Sequence, residues 1–254
     1  MAVVGQGRIM VWEAASLWIL ENADRIAEVE PHAHHAIQLT VPLRGSFEIG
    51  VERETLSGAV TAVASDQRHT FRGSGAVAFL FVAPESQAGR ALIAAHLTAR
   101  PWVAEDRGPL ADAVGQLREG FARNLSAQEF RELGQSVVAA LAQVARPDLP
   151  DWRVLAMIDF ARSRLDGTVT LPASAAQVHL SEGRARHLFA EHTQMPFKAY
   201  VLWLRLERAV ELYARGCSLT EAAHEAGFAD SAHLSRTFRR TFGLPAAALR
   251  LTQD

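Results

Sequence analysis

Apolar residues alternate or run together in short blocks through the first 83 positions and recur at helical spacing beyond them. The blocks HAIQLTVPL, GSFEIGVE, GAVTAVAS and GAVAFLFVAP are separated by Gly, Pro, Ser and Asp at the close spacing of a sandwich or barrel, and they predict short strands. An eight-strand jelly roll is the expected product. From Glu85 the period changes. ESQAGRALIAAHL, GPLADAVGQLREGFAR and SAQEFRELGQSVVAALAQV predict helices that cover the barrel or pair two chains. ARPDLPDW, Ala145 to Trp152, holds two prolines and two aspartates and reads as a linker. The expectation is an α+β two-domain chain. Its N-terminal domain spans 1–146, with a cupin-like jelly-roll barrel over about 1–83 and flanking helices over about 85–145. A linker at 147–152 leads to an all-α domain over 153–254.

The end of the chain has the sharpest pattern. In SLTEAAHEAGFADSAHLSRTFRRTFGLPAAALR, Leu234, Phe238 and Phe242 recur every four residues and form one apolar stripe. At about 100° per residue, His233, Arg236 and Arg240 fall on the opposite side, with Ala232 and Arg239 beside them. Upstream, Ser218 and Glu221 fit a capping box, and Leu219, Ala222, Ala223 and Ala226 give a first helix a small-residue inner face. That helix stops at Gly227, and Asp230 or Ser231 is available to cap the next. The result is a helix-turn-helix whose second helix presents cationic and hydrogen-bonding side chains outward.

The unit repeats. Shifting back by 49 residues sets SEGRARHLFAEHTQMPF on DSAHLSRTFRRTFGLPA, with Phe189 over Phe238, Thr193 over Phe242 and Met195 over Leu244. TLPASAAQVHLS supplies the first helix of this earlier unit, and Ser181 the cap of its second. PFKAYVLWLRLERAVELYARG, opening on Pro196 and closing on Gly216, predicts one continuous helix between the two units. Roughly twenty residues make a rod of about 30 Å. A rod of that length suits two recognition helices about 34 Å apart, one turn of B-DNA.

These residues resemble the AraC/XylS transcriptional regulators over about 100 residues, Trp152 to Arg250, most specifically in LTEAAHEAGFADSAHLSRTFRRTFGLPAAALR. The resemblance implies base-edge contacts from Gly183, Arg186 and His187 in the first unit and from Ala232, His233 and Arg236 in the second. Arg236 is the strongest candidate, since a guanidinium bonds guanine O6 and N7 bidentately. Lys198, Arg239 and Arg240 are candidates for phosphate contacts, which position without specifying. This chain departs from the family pattern at Ala185, where Leu is usual, at His187, where Arg is usual, and at Gln194, where Gly is usual. The first recognition helix is therefore expected to bind more weakly or to read a different base pattern. The resemblance also implies double-stranded promoter DNA as partner, a small-molecule effector, RNA polymerase for an activator and a homodimer, while the single cysteine, Cys217, suits a cytoplasmic location.

Charge sets limits on that reading. Over the chain 26 basic residues face 28 acidic ones, so there is no global attraction to nucleic acid. Residues 151–254 hold 13 basic and 11 acidic side chains, and a domain so near neutrality binds DNA only through a concentrated face, with a steep salt dependence. Lys198 is the only lysine, so nearly every basic contact is an arginine, which favours forked hydrogen bonding over diffuse attraction. The single cysteine, Cys217, excludes an internal disulfide. The N-terminal MAVVGQGRIMVWEAASLWIL lacks a basic n-region and is interrupted by Glu13, unlike a signal peptide. No run reaches the roughly 18 apolar residues of a membrane span.

Within the expected barrel lies PHAHHAIQLTVPLRG. On one strand His32, His34 and Gln38 would share a parity and point inward, with His35 pointing the other way. The segment resembles the first cupin motif, with an amide at Gln38 in place of the usual Glu and with Gly45 retained. His69, in SDQRHTFRG, falls where the second cupin motif places its histidine. His32, His34 and His69 are candidate ligands of a divalent metal, with Gln38 as a weak fourth. The same four are also candidates for a polar effector pocket, and the histidines alternatively serve the structure alone. Arg68 and Arg72 resemble the arginine pair of PilZ-type cyclic-dinucleotide binders and are further pocket candidates, although no companion motif accompanies them. Two classes follow. One is a regulator without catalytic residues or a certain cofactor, and the other is a metal-dependent cupin enzyme with an accessory helical module.

Overall fold

The computed structural model describes residues 5–105, 107–142 and 147–251. The chain divides into two compact units, Met1–Pro147 with Phe238–Asp254, and Asp148–Thr237.

Among the described residues, the first unit is built on eight strands. They are β1 (Gly5–Trp12), β2 (Ala15–His32), β3 (Ile37–Val51), β4 (Glu54–Ser57), β5 (Val60–Val63), β6 (His69–Val82), β7 (Trp102–Glu105) and β8 (Leu249–Leu251). They form one sheet in the order β7-β5-β3-β6-β2-β1-β8, with β4 paired to β3. Every pairing is antiparallel except β1 with β8, which is parallel. HAIQLTVPL and GSFEIGVE, expected as two strands, are one long strand. Gly45 (φ +84°) lies opposite Gly75 (φ +81°), and a Cβ on either would sit 2.3 Å from a carbonyl oxygen of the other strand. Only glycine allows β3 and β6 to pass so closely and remain paired.

Alternation along the central strands gives the sheet two different faces. Leu17, Ile19, Leu39, Val41, Leu80 and Val82 are buried in one cluster with Leu117, Phe130 and Val137. Those last three belong to α2 (Pro109–Ala122) and α3 (Ala127–Leu141), which cover that face. Full burial of one such side chain contributes about 1.5–3 kcal/mol. The intervening residues Trp18, Leu20, Gln38, Phe79 and Phe81 turn to the other face and line a cavity. A short helix, α1 (Gln87–Leu92), capped by Ser86 and continued by a π turn over Ile93–Leu97, connects the sheet to β7.

The second unit is helical. It comprises α4 (Trp152–Arg162), α5 (Leu171–Gln177), α6 (Glu182–Thr193), α7 (Phe197–Ala214), α8 (Leu219–Glu225) and the first turns of α9 (Ser231–Phe242). Pro196 caps α7, and Gly216 (φ +95°) follows its last turn, as the Pro-in, Gly-out pattern expects. Met157, Leu165, Ala185, Phe189, Tyr200 and Leu204 belong to its core. Phe189 meets Phe197 and Tyr200 edge-on, with ring centres 5.0 and 5.2 Å away. Among the described residues, no helix is long and apolar enough to cross a membrane.

Candidate functional site

The two helix-turn-helix units form as the pattern predicts. Ser181 caps α6 through the Arg184 amide, and Ser218 and Glu221 make a reciprocal capping box at the start of α8. Gly227 turns the chain at φ +78°, and Asp230 accepts the His233 amide at 2.6 Å as the cap of α9. A Cβ on Gly227 would lie 2.0 Å from the Leu165 carbonyl oxygen, so this turn admits no side chain.

On α6 the three implied base-reading residues, Gly183, Arg186 and His187, are all exposed, and Arg186 is paired with Glu182 one turn back. Ala185 is fully buried, so the first departure from the family pattern is a smaller core residue and leaves the outer face unchanged. Gln194 takes the left-handed conformation (φ +55°) at the end of α6, the backbone state for which glycine is usual. Lys198 is exposed at the start of α7.

On α9, Ala232 and Arg236 are exposed, while His233 is half-buried with its ring 5.1 Å from Phe228. Arg239 and Arg240 are exposed, and Arg239 holds Glu30 at 2.9 Å. Glu30 thus competes with a phosphate for Arg239, which the sequence did not reveal. The apolar stripe of α9 is buried as expected, but its last two residues belong to the first unit. Phe238 and Phe242 lie 6.2 and 4.9 Å from the Trp18 ring.

The histidines of the first unit converge by a different route from the one the parity argument assumed. His32 ends β2, His34 and His35 lie in the connection, and Gln38 is near the start of β3, so no single strand carries them. The pairing of His32 with His69 across β2 and β6, together with the turn, assembles the cluster. His32, His34 and His69 are all buried, with their nearest ring nitrogens within 4.8 Å of one another. Burial, reinforced by the neighbouring imidazoles, pushes all three down to about 4, so they are neutral near pH 7. His35 does point elsewhere, to Glu85 at 3.0 Å.

His32 and Gln38 form a polar edge of the cavity, which opens to solvent. Phe71, Phe79 and Phe81 line it, and Phe242, Leu244 and Leu249 from the end of the chain close it. Arg68 and Arg72 do not enter it. Both are exposed, and Arg72 pairs with Glu48 on β3 at 3.3 Å. The aromatic lining and its C-terminal closure were missed in the sequence. The alternating Phe79 and Phe81 of GAVAFLFVAP signalled the lining, and nothing local signalled the closure.

Residues 174–252 match a family model described as a helix-turn-helix domain. An uncharacterized HTH-type transcriptional regulator, YpdC of Escherichia coli strain K12, is 43% identical over 67 residues, 26% of this chain and 22% of that protein. The match therefore spans about a fifth of that relative's length. ToxT from Vibrio cholerae O395 superposes with a TM-score of 0.61 at 11% identity, over 93% of this chain and 96% of that one. ToxT from strain SCE256, in a structure described as bound to an unsaturated fatty acid, gives 0.55 at 11% identity, over 93% of each chain. At such identity the likeness is one of fold. Residues 174–252 are thus a helix-turn-helix domain of the AraC type, carried by a chain with the two-domain fold of ToxT.

Proposed function

We propose that this protein is a sequence-specific transcriptional regulator that binds promoter DNA through α6 and α9 and takes a small, largely apolar effector into the cavity of its first unit. The observation that carries the reading is the outer face of α9. Arg236 and Arg240 project from a helix that is capped at Asp230 and anchored by Leu234, in the second helix-turn-helix of a repeated pair. Arg186 and His187 occupy the corresponding outer face of α6. Arg236 reads a base edge, and Lys198 and Arg240 hold phosphates.

The effector's chemistry follows from the lining. Phenylalanines and leucines favour an apolar body, and His32 and Gln38 offer hydrogen bonds to one polar end. A ToxT structure described as holding an unsaturated fatty acid supports that class of ligand. Phe242 links the two activities, because it lines the cavity and belongs to the last turn of α9. A ligand that binds better to one position of Phe242 than to another shifts the population of α9 arrangements; equal affinity would shift nothing.

The reading assigns no catalytic residue and places the protein in the cytoplasm. It extends to a homodimer, tested by light scattering, and to RNA polymerase contact if regulation is positive, tested by transcription from a bound promoter. DNA binding itself is tested by titrating duplexes with full-length protein and its Arg236→Ala variant at several salt concentrations. Site-specific affinity lost in the variant, over a shared non-specific background, supports the reading. Indistinguishable curves on every duplex contradict it.

A further inference from the structure

The histidine cluster has a proton arrangement that its backbone partners dictate. His32 Nδ1 lies 2.8 Å from the Glu30 carbonyl oxygen, His34 Nδ1 2.8 Å from that of Ala36, and His69 Nδ1 2.9 Å from that of Gln67. A carbonyl oxygen only accepts, so each Nδ1 must carry the hydrogen and donate it. A neutral imidazole has one hydrogen, and each Nε2 is left with a lone pair. Two of those lone pairs, on His34 and His69, face Gln38 Oε1 at 3.1 and 3.4 Å, while the Gln38 amide nitrogen donates to Thr40 Oγ1 at 3.1 Å. Buried acceptors are thus gathered around one point, with no hydrogen among them to share. A cation there turns that repulsion into attraction.

We infer that His32, His34 and His69, with Gln38 Oε1, form a binding site for one divalent transition-metal ion of the zinc class. Imidazole nitrogen suits zinc, copper and nickel and does not suit magnesium or calcium, which prefer an all-oxygen shell. Each imidazole already donates its far N–H to a backbone carbonyl, the arrangement that orients metal-ligating histidines and raises their basicity. The geometry needs a modest contraction. Bonds of about 2.1 Å set tetrahedral ligand atoms about 3.4 Å apart, against ring nitrogens now within 4.8 Å of one another. Ring rotations of roughly 20° close that gap within the breadth of a rotamer well. The donors carry no charge, so the ion keeps its full positive charge beside the cavity.

The inference does not rest on the regulator reading, and the experiment separates the two. Chelator-treated full-length protein is dialysed against micromolar Zn²⁺, and its metal content, zinc-edge X-ray absorption and DNA binding are measured on the same samples. The expected result is about one zinc per chain with a shell of nitrogen and oxygen only. His34→Ala and His69→Ala should each lower the affinity by about 10- to 100-fold or more. Gln38→Glu, which adds a charged ligand in place of a neutral one, should raise it by about 10-fold or more. Because an alanine in the cluster could disturb folding, Gln38→Glu carries the same test in the opposite direction. Zinc retained in both alanine variants, or a shell containing sulfur from Cys217, would place the ion elsewhere and overturn the proposal. So would a wild-type chain that takes up no zinc while Gln38→Glu does. That outcome would mean that the Gln38 amide is turned to donate its own hydrogens to His34 and His69.

Discussion

Arg236 and Arg239 differ by three positions on α9, and their surroundings assign them different work. Arg236 is exposed, whereas Arg239 already holds Glu30. Arg236→Ala is therefore expected to cost about 1–3 kcal/mol at the specific site and to relax preference at one base pair, read by competition among single-base variants of a bound duplex. Arg240→Ala should weaken all sequences alike and reduce the salt slope by about one phosphate, measured by fluorescence anisotropy across salt concentrations. Arg239→Ala should change that slope less, since Glu30 competes with a phosphate for that guanidinium. Gln194 gives a stability prediction. It occupies a left-handed position that most L-residues avoid, so Gln194→Gly should stabilise the second unit by about 0.5–1 kcal/mol in urea unfolding.

The turn between α8 and α9 depends on two local devices, a capping box and a glycine. Ser218→Ala removes the hydroxyl that accepts the Glu221 amide at 3.2 Å and should cost about 1 kcal/mol. Gly227→Ala should cost more, since a methyl there meets the Leu165 carbonyl, and its denaturation midpoint should fall below that of Ser218→Ala. These elements were legible in the sequence because caps, breakers and helical spacing are local signals. The sheet was less so. Leu17, Trp18, Ile19 and Leu20 of β2 form a continuous apolar run because helices cover one side and the cavity lies on the other, so the alternation that marks a half-exposed strand is missing. β8 is three residues long and exists through its pairing with β1, some 240 positions away, which no local pattern encodes. Strand parity groups His32, His34 and Gln38 in the sequence and the cupin resemblance adds His69, whereas in the structure a turn and the pairing of β2 with β6 bring these side chains together. Arg68 and Arg72 were grouped with them by spacing alone, and the structure leaves both outside the cavity.

At the scale of the whole molecule, the reading makes the cavity and the recognition helix parts of one device, with Phe242 common to both. Phe242→Ala should leave a DNA site recognisable while reducing the change in DNA affinity that an apolar carboxylic acid produces in the wild type. Titrating both proteins with such an acid at fixed DNA concentration checks this, and an undiminished response in the variant would remove Phe242 from the coupling. The central claim, that two repeated helix-turn-helix units read DNA, is tested most directly by selecting bound sites from a random duplex pool with the purified full-length protein. Two short enriched blocks about 10 base pairs apart are expected, the spacing of successive major grooves on one face of the duplex. No sequence enrichment, with and without added zinc and fatty acid, would contradict the account.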